Sequence, residues 1–381
     1  MTYDFTTSAV HAVADNIKWN KYAGRDVLPL WVADMDFATA PEITAALQQR
    51  VARGSFGYSE PTAELIAAIV GAAQRDYGWA LHPDWLVPLP GLVSGLNIAC
   101  RATGGDADAV LTATPIYPPF MSAPAFSGRP LTKLPLLEPT EGESWRWDWV
   151  ALEREAASAR TLLLCHPHNP VGRVWTADEL ARLAAIAERH DLTVVSDEIH
   201  CDLLLEPGTR HAPLATLSPE LAARTITLMA PSKTYNIAGL GCALAIIPDA
   251  TLRHAFQRTM RGIVPHVNLL GYTAAAAAYR DGAAWRAELL AVLRQNRDAV
   301  IAALDGAAGL RVTRPQATYL AWIDCRGAGI AQPQHYFEAA GVGLSDGADF
   351  GLPGFVRLNF GCPQATLTEA LARMRRALGC A

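Results

Sequence analysis

Four apolar runs in this chain each end on a polar group that can do chemistry. "TPIYPPF" carries Tyr117, "CHPHNPVG" carries Asn169, "VVSDEIH" carries Asp197 and "APSKTYN" carries Lys233. Lys233 stands out, because "TITLMAPS" and "GCALAIIP" around it have the composition of an interior. A lysine there is costly unless it is paired or used. Singly, each group has an ordinary explanation: a turn before proline, a cap or loop carboxylate, a lysine reaching solvent along its stem.

Together they suit one use. Pyridoxal phosphate needs a lysine amine to bond its aldehyde and a carboxylate to keep its ring nitrogen protonated. It also needs an amide near the ring oxygen and an aromatic ring on one face, which Asn169 and Tyr117 can supply. Its phosphate needs free backbone N–H groups, as at a helix N-terminus. "VPLPGLVSGLNIACRA" offers a strand-like entry, Gly91, and then a helix start.

The elements that must position these groups alternate. "RTLLLCHP" and "DLTVVSDE" read as buried strands, followed by "TITLMAPS" and "GCALAIIP". Between the first two, "TADELARLAAIAERH" opens with Thr176 as cap and Glu179 three residues later, then runs at helical spacing. This alternation predicts an α/β fold with a mostly parallel sheet covered by helices on both faces. In such a sheet, groups just past the carboxyl ends of the strands line the ligand crevice.

Beyond Pro248 two Ala-rich helical stretches, 251–280 and 283–303, lead to strand-like "TYLAWID" and "FVRLNF". That predicts a smaller α+β domain, with the apolar "RDVLPLWVADMDF" near the N-terminus packed against it. The expected division is a segment 1–45 packing with the small domain, a large cofactor-binding domain 46–280 and a small C-terminal domain 281–381.

Composition narrows the function classes. Over 381 residues, 51% are hydrophobic and 18% charged, with a net charge of −5, which fits a globular protein with a large core. Lys and Arg are scattered rather than striped, which argues against a nucleic-acid partner. The N-terminus lacks a signal-peptide pattern and no run of about 18 apolar residues suggests a membrane span. Seven cysteines, at 100, 165, 201, 242, 325, 362 and 380, are odd in number and irregular in spacing. They predict reduced thiols, no metal site and a cytoplasmic protein.

The chain resembles the fold-type-I pyridoxal-phosphate enzymes of the class I/II aminotransferase superfamily, and more narrowly the cystathionine β-lyase (C–S lyase) branch. The resemblance runs over essentially the full length. It is carried by "LPLWVADMDF", "FGYS", "YPPF", "HNPVGRVW", "SDEIHCDL", "APSKTYNIAGL" and "FVRLNFGCP". It implies that Lys233 bonds the cofactor and then moves the substrate's α-proton, that Asp197 pairs with the ring nitrogen, and that Asn169 contacts the ring hydroxyl while Tyr117 stacks. Backbone amides of Gly91, Leu92 and Val93, with Ser232 nearby, would hold the phosphate. Tyr58 would serve the neighbouring subunit's site in a homodimer, and Arg357 would hold the substrate α-carboxylate, with Asn169, Ala33 and Tyr58 also near the substrate. Trp31, Tyr117, Tyr319 and residues 343–351 are expected around the pocket.

Two departures from the broader aminotransferase pattern favour the lyase branch. Gly241 stands where many relatives carry a phosphate-binding arginine, and His200, counted with the cofactor-binding residues, stands where many carry a tyrosine. The implied reaction is α,β-elimination from L-cystathionine or a related cysteine S-conjugate, giving thiol, pyruvate and ammonia. The alternatives are an aminotransferase of the same fold and a fold-retaining regulator with a secondary protein-binding role.

Overall fold

The computed structural model of the protein describes residues 2–9, 15–140 and 143–380. Its largest sheet has seven strands in the order Leu86–Leu89, Ala243–Ile246, Thr225–Met229, Thr193–Asp197, Ala159–Cys165, Ala109–Thr114 and Leu131–Pro135. All run parallel except Ala243–Ile246, which is antiparallel to both neighbours. The central strands are buried almost throughout, which is why they read as continuous apolar runs rather than alternating ones. Helices cover both faces. The helix Ala177–Arg189 is closed by the Thr176/Glu179 capping box expected of its sequence.

A second, antiparallel sheet of four strands follows the order Ser345–Asp346, Phe355–Asn359, Leu320–Asp324 and Arg311–Thr313. The N-terminal segment joins this part of the fold. Leu28–Pro29 pairs in parallel with Val342–Gly343. Leu30, Met35 and Phe37 are buried in one core with Leu320, Val356, Leu358 and Met374. Position 45 lies inside the helix Pro41–Ala52, which packs on the helix Leu269–Asp281.

One expected element is different. The stretch 251–280 is two helices, Ala250–Met260 and Leu269–Asp281, instead of one. Gly262 takes a left-handed backbone, with φ of +75°, and Pro265 cannot donate to a helical ladder. Asn268 then caps the second helix by accepting from Gly271 N at 2.9 Å. The stretch 283–303 is helical as expected, over Ala283–Leu304.

The N-terminal segment is held by a charge pair that the apolar pattern hides. Lys18 Nζ donates to Asp36 Oδ1 at 2.8 Å and to the Asp34 carbonyl at 2.9 Å, and both side chains of the ion pair are essentially buried. Trp19 Nε1 donates to the same Asp36 oxygen at 3.0 Å. Removing one partner of a buried pair leaves the other charged and unpaired. Lys18→Met should therefore lower stability in urea unfolding by about 3 kcal/mol, and Lys18→Met combined with Asp36→Leu should recover most of that loss.

Candidate active site

The parallel strands bring the polar run-ends to one edge of the large sheet. Cys165 and Asp197 are register partners, as are Asp197 and Leu228, so three neighbouring strands end level with one another. Asn169 and Lys233 each lie four residues past a strand end and Tyr117 lies three past another. Tyr117 N donates to the Asn169 carbonyl at 3.2 Å, which joins two of these loops.

Asp197 is buried, and its Oδ1 accepts from Ile199 N at 3.1 Å. Burial pushes its carboxyl up to about 7, opposed by that amide and more weakly by Lys233. The neighbouring Glu198 is fully buried and fixed from three directions: Ser196 Oγ donates at 2.7 Å, Leu214 N at 3.0 Å, and His211 Nε2 lies 2.6 Å away. The strand end is thus rigid, while Asp197 has no cation bonded to it among the described residues. A cationic nitrogen placed against it would supply what is missing.

Lys233 follows the wholly buried strand Thr225–Met229, in a turn. Its Nζ donates to the Ala33 carbonyl at 2.5 Å. Burial pushes its amine below the usual lysine range, with Asp34 opposing and Arg357 reinforcing. Arg357 projects from the strand Phe355–Asn359 and is buried. It donates through Nη1 to Asn169 Oδ1 at 3.1 Å and through Nη2 to the Trp31 carbonyl at 3.1 Å and Ser345 Oγ at 3.4 Å. Its guanidinium carbon lies 4.6 Å from the Phe350 ring centroid. Burial lowers its pKa to about 10, so it remains charged near neutral pH, and its Nε has no partner among the described residues. A buried, charged guanidinium with donors to spare is suited to a carboxylate.

Asn169 accepts from Arg357 through Oδ1, which leaves its Nδ2 as the group able to donate. Tyr117 is half-buried, with its phenol raised by desolvation. His200 is buried, and burial, with the charges of Lys233 and Arg357, pushes its imidazole down to about 3. It is therefore neutral, and it meets the Tyr319 ring edge-on with centroids 6.2 Å apart. Tyr319 itself donates to the Ala33 carbonyl at 3.0 Å, and Trp31 Nε1 donates to the Lys18 carbonyl at 3.0 Å.

Gly91 stands at the N-cap of the helix Leu92–Ala102, where no side chain caps the free N–H groups. A Cβ added at Gly91 would meet nothing within 4 Å, so the first-turn amides, including those of Leu92 and Val93, stay approachable. Ser232 is half-buried beside Lys233. Gly241 has φ of +58°, and a Cβ there would lie 3.1 Å from the Pro90 carbonyl. The position thus serves a tight backbone turn against the loop before Gly91, and an arginine would be strained there. Tyr58 is fully exposed on its own chain.

The donor set fits pyridoxal 5'-phosphate on the chain's own features: an amine, an uncompensated buried carboxylate, and an uncapped helix N-terminus. The sequence reading did not find Asn236, Asn359, Ser345 in its role at Arg357, or the Lys18–Asp36 pair. For Lys18 and Asp36 a signal existed, since charges in "NIKWN" and "ADMDF" border apolar residues much as Lys233 does. The asparagines act through backbone far away in sequence, which no local pattern records.

Residues 25–374 match the model of the aminotransferase class I and II family, and the chain belongs to that family. Cystathionine beta-lyase PatB of Bacillus subtilis (strain 168) is 37% identical over 376 residues, spanning 95% of this chain and 96% of that protein. The crystal structure of OvoB matches with a TM-score of 0.96 at 47% identity, over 99% of both chains. The crystal structure of cystalysin from Treponema denticola, which contains a pyridoxal 5'-phosphate cofactor, matches with a TM-score of 0.94 at 32% identity, over 100% of this chain and 99% of that one. Among the described residues no helix is long and apolar enough to cross a membrane.

The electrostatics of Asp197 make a prediction for the cofactor-free protein. Its folded-state carboxyl holds a proton that the unfolded chain sheds above about pH 4, so the contribution of this group to stability is greatest at low pH and is lost as pH rises through about 7. The loss is on the order of 4 kcal/mol for a shift of this size. Buried His166, His168 and His200, whose imidazoles are pushed down, act in the opposite sense over this range, so the Asp197 contribution is read as a difference: from about pH 4.5 to about pH 7.5 the urea stability of the parent apoprotein should fall relative to that of Asp197→Asn.

Proposed function

We propose that this protein is a pyridoxal 5'-phosphate-dependent carbon–sulfur β-lyase acting on L-cystathionine or a related cysteine S-conjugate, with thiol, pyruvate and ammonia as products. The observation that carries this reading is the set Lys233 and Asp197 at one edge of the large sheet with Arg357 reaching in from the four-stranded sheet, all buried or half-buried and electrostatically coupled through Lys233, in a chain 37% identical to a cystathionine beta-lyase. The bound cofactor supplies an electron-withdrawing ring that stabilises negative charge on the substrate α-carbon.

The chain's residues then divide the work. Asp197 keeps the ring nitrogen protonated, which a buried carboxylate lacking a protein cation is placed to do. Arg357 grips the substrate α-carboxylate as a bidentate pair and Asn169, tied to it, sets the angle of approach. Lys233 takes the proton from the α-carbon. The bond to sulfur breaks with its electron pair leaving on the sulfur, which takes up a proton and departs as thiol, and the three-carbon remainder takes up water to give pyruvate and ammonia. Tyr117 flanks the ring, His200 closes the buried side as a neutral group, and Gly91, Leu92, Val93 and Ser232 form the phosphate cradle.

We further propose a two-fold homodimer in which Tyr58 completes the partner subunit's site. A tyrosine fully exposed on its own chain, next to the exposed Phe56, supports that arrangement. The segment 1–45 and residues 281–381 form one body against 46–280, a division supported by the pairing of Leu28–Pro29 with Val342–Gly343. Reduced, buried thiols support a cytoplasmic location.

Purified protein given L-cystathionine and no keto acid should release pyruvate and thiol in equal amounts. Lys233→Ala should cut kcat by about 10³-fold or more. Turnover that requires a keto acid would instead identify an aminotransferase. Arg357→Lys should lower kcat/KM by about 10- to 100-fold, mainly through KM, because a point charge replaces a fork. Tyr58→Phe should weaken cofactor retention, measured by dialysis and visible absorption; unchanged affinity counts against a shared site.

A further inference from the structure

Residues 31–37 cross the Lys233 amine and are fastened on both sides of it. Asn359 Nδ2 donates to the Val32 carbonyl at 2.6 Å and the Asp34 carbonyl at 2.7 Å, while its Oδ1 accepts from Gly361 N at 2.7 Å. Asn236 holds the following stretch: Nδ2 donates to the Met35 carbonyl at 3.0 Å and the Phe37 carbonyl at 2.8 Å, and Oδ1 accepts from Met35 N at 3.1 Å. The Ala33 carbonyl lies within the Asn359 clamp and two residues before the stretch that Asn236 holds, and it receives Lys233 Nζ and the Tyr319 hydroxyl.

Asn236 sits three residues after Lys233 in the same turn, with φ of +55°. Asparagine tolerates that backbone better than most residues. Both its donor hydrogens and its acceptor are spent on residues 35–37, so one short turn carries the amine and also the clamp that locates the amine's acceptor.

We propose that Asn236 is a positioning residue for Lys233: by tying residues 35–37 to the lysine-bearing turn, it fixes the Ala33 carbonyl as the dock of the unbonded Lys233 amine. The catalytic consequence rests on the proposed role of Lys233, but the dock itself belongs to the free chain. A four-carbon side chain samples many rotamers unless an acceptor selects one. A fixed acceptor returns the amine to one place each time it is released. A carbonyl accepts more strongly from an ammonium than from an amine, and so works against the desolvation acting on Lys233. Asp34 and Asp197 act in the same sense as the carbonyl, and Arg357 acts against it. Tyr319 competes for the carbonyl.

The chain has only four lysines, at 18, 21, 133 and 233, so amine reactivity can be read residue by residue. The test is competitive acetylation of the cofactor-free protein with acetic anhydride across pH, followed by peptide mass spectrometry. Asn236→Gly keeps the left-handed backbone and removes the clamp. The Lys233 midpoint should fall by about one pH unit, so that Lys233 reacts about ten-fold faster below it. Lys18, bonded to Asp34 and Asp36 of the same segment, should stay protected, and the exposed Lys21 and Lys133 should keep their rates. Tyr319→Phe, which frees the carbonyl of its second donor, should move the midpoint up. An unchanged Lys233 midpoint in Asn236→Gly overturns the proposal. So does equal exposure of Lys18 and Lys233, which would make Asn236 a support of the whole segment. Absence of lyase turnover in the parent protein would refute the functional reading while leaving this readout intact.

Discussion

The structure depends on a carboxylate that the protein does not neutralise. Asp197 ends a central strand of the large sheet, buried, with one amide hydrogen bond to one oxygen and, among the described residues, no cation bonded to it. A group in that state prefers to be protonated, and folding bears the cost of keeping it there. Its surroundings permit no relaxation. Cys165 and Leu228 flank it in register, and the adjacent Glu198 is bonded on three sides. Such a rigid, unsatisfied carboxylate has the electrostatics that the proposed cofactor site requires, and it is coupled to the Lys233 amine beside it.

The four-stranded sheet reaches this edge through one side chain. Arg357 comes from the four-stranded sheet, yet its bonds reach Asn169 of the large sheet and the Trp31 carbonyl of the N-terminal segment. The N-terminal segment is thereby a seam between the two sheets. It is secured by the Lys18–Asp36 pair on one side and by Asn236 and Asn359 elsewhere. Arg357 and Trp31, 326 positions apart in the chain, are thereby joined.

How much of this was legible beforehand varies by physical cause. Lys233, Asp197, Asn169 and Tyr117 could be picked out because parallel strands buried on both faces leave few polar residues, and those few sit at strand ends. The Thr176/Glu179 helix start was equally plain, since its signal is local. The division of 251–280 was missed because the Ala-rich composition favours helix on both sides and outweighed Gly262 and Pro265. Asn236 and Asn359 were invisible for another reason: each bonds main-chain atoms about 200 and 326 positions away, and backbone partners leave no trace in residue type. Tyr58 could be named, but a single chain gives it no partner to touch.

The central claim is that Asp197 is protonated when its site is empty and ionised when a cationic ring lies against it. Difference infrared spectroscopy of the apoprotein at about pH 6, one unit below the raised pKa of this group, tests it directly on adding pyridoxal 5'-phosphate. The account predicts loss of a protonated-carboxyl stretch in the parent protein and no such change in Asp197→Asn. An unchanged carboxyl region in the parent, with cofactor bound, would contradict it.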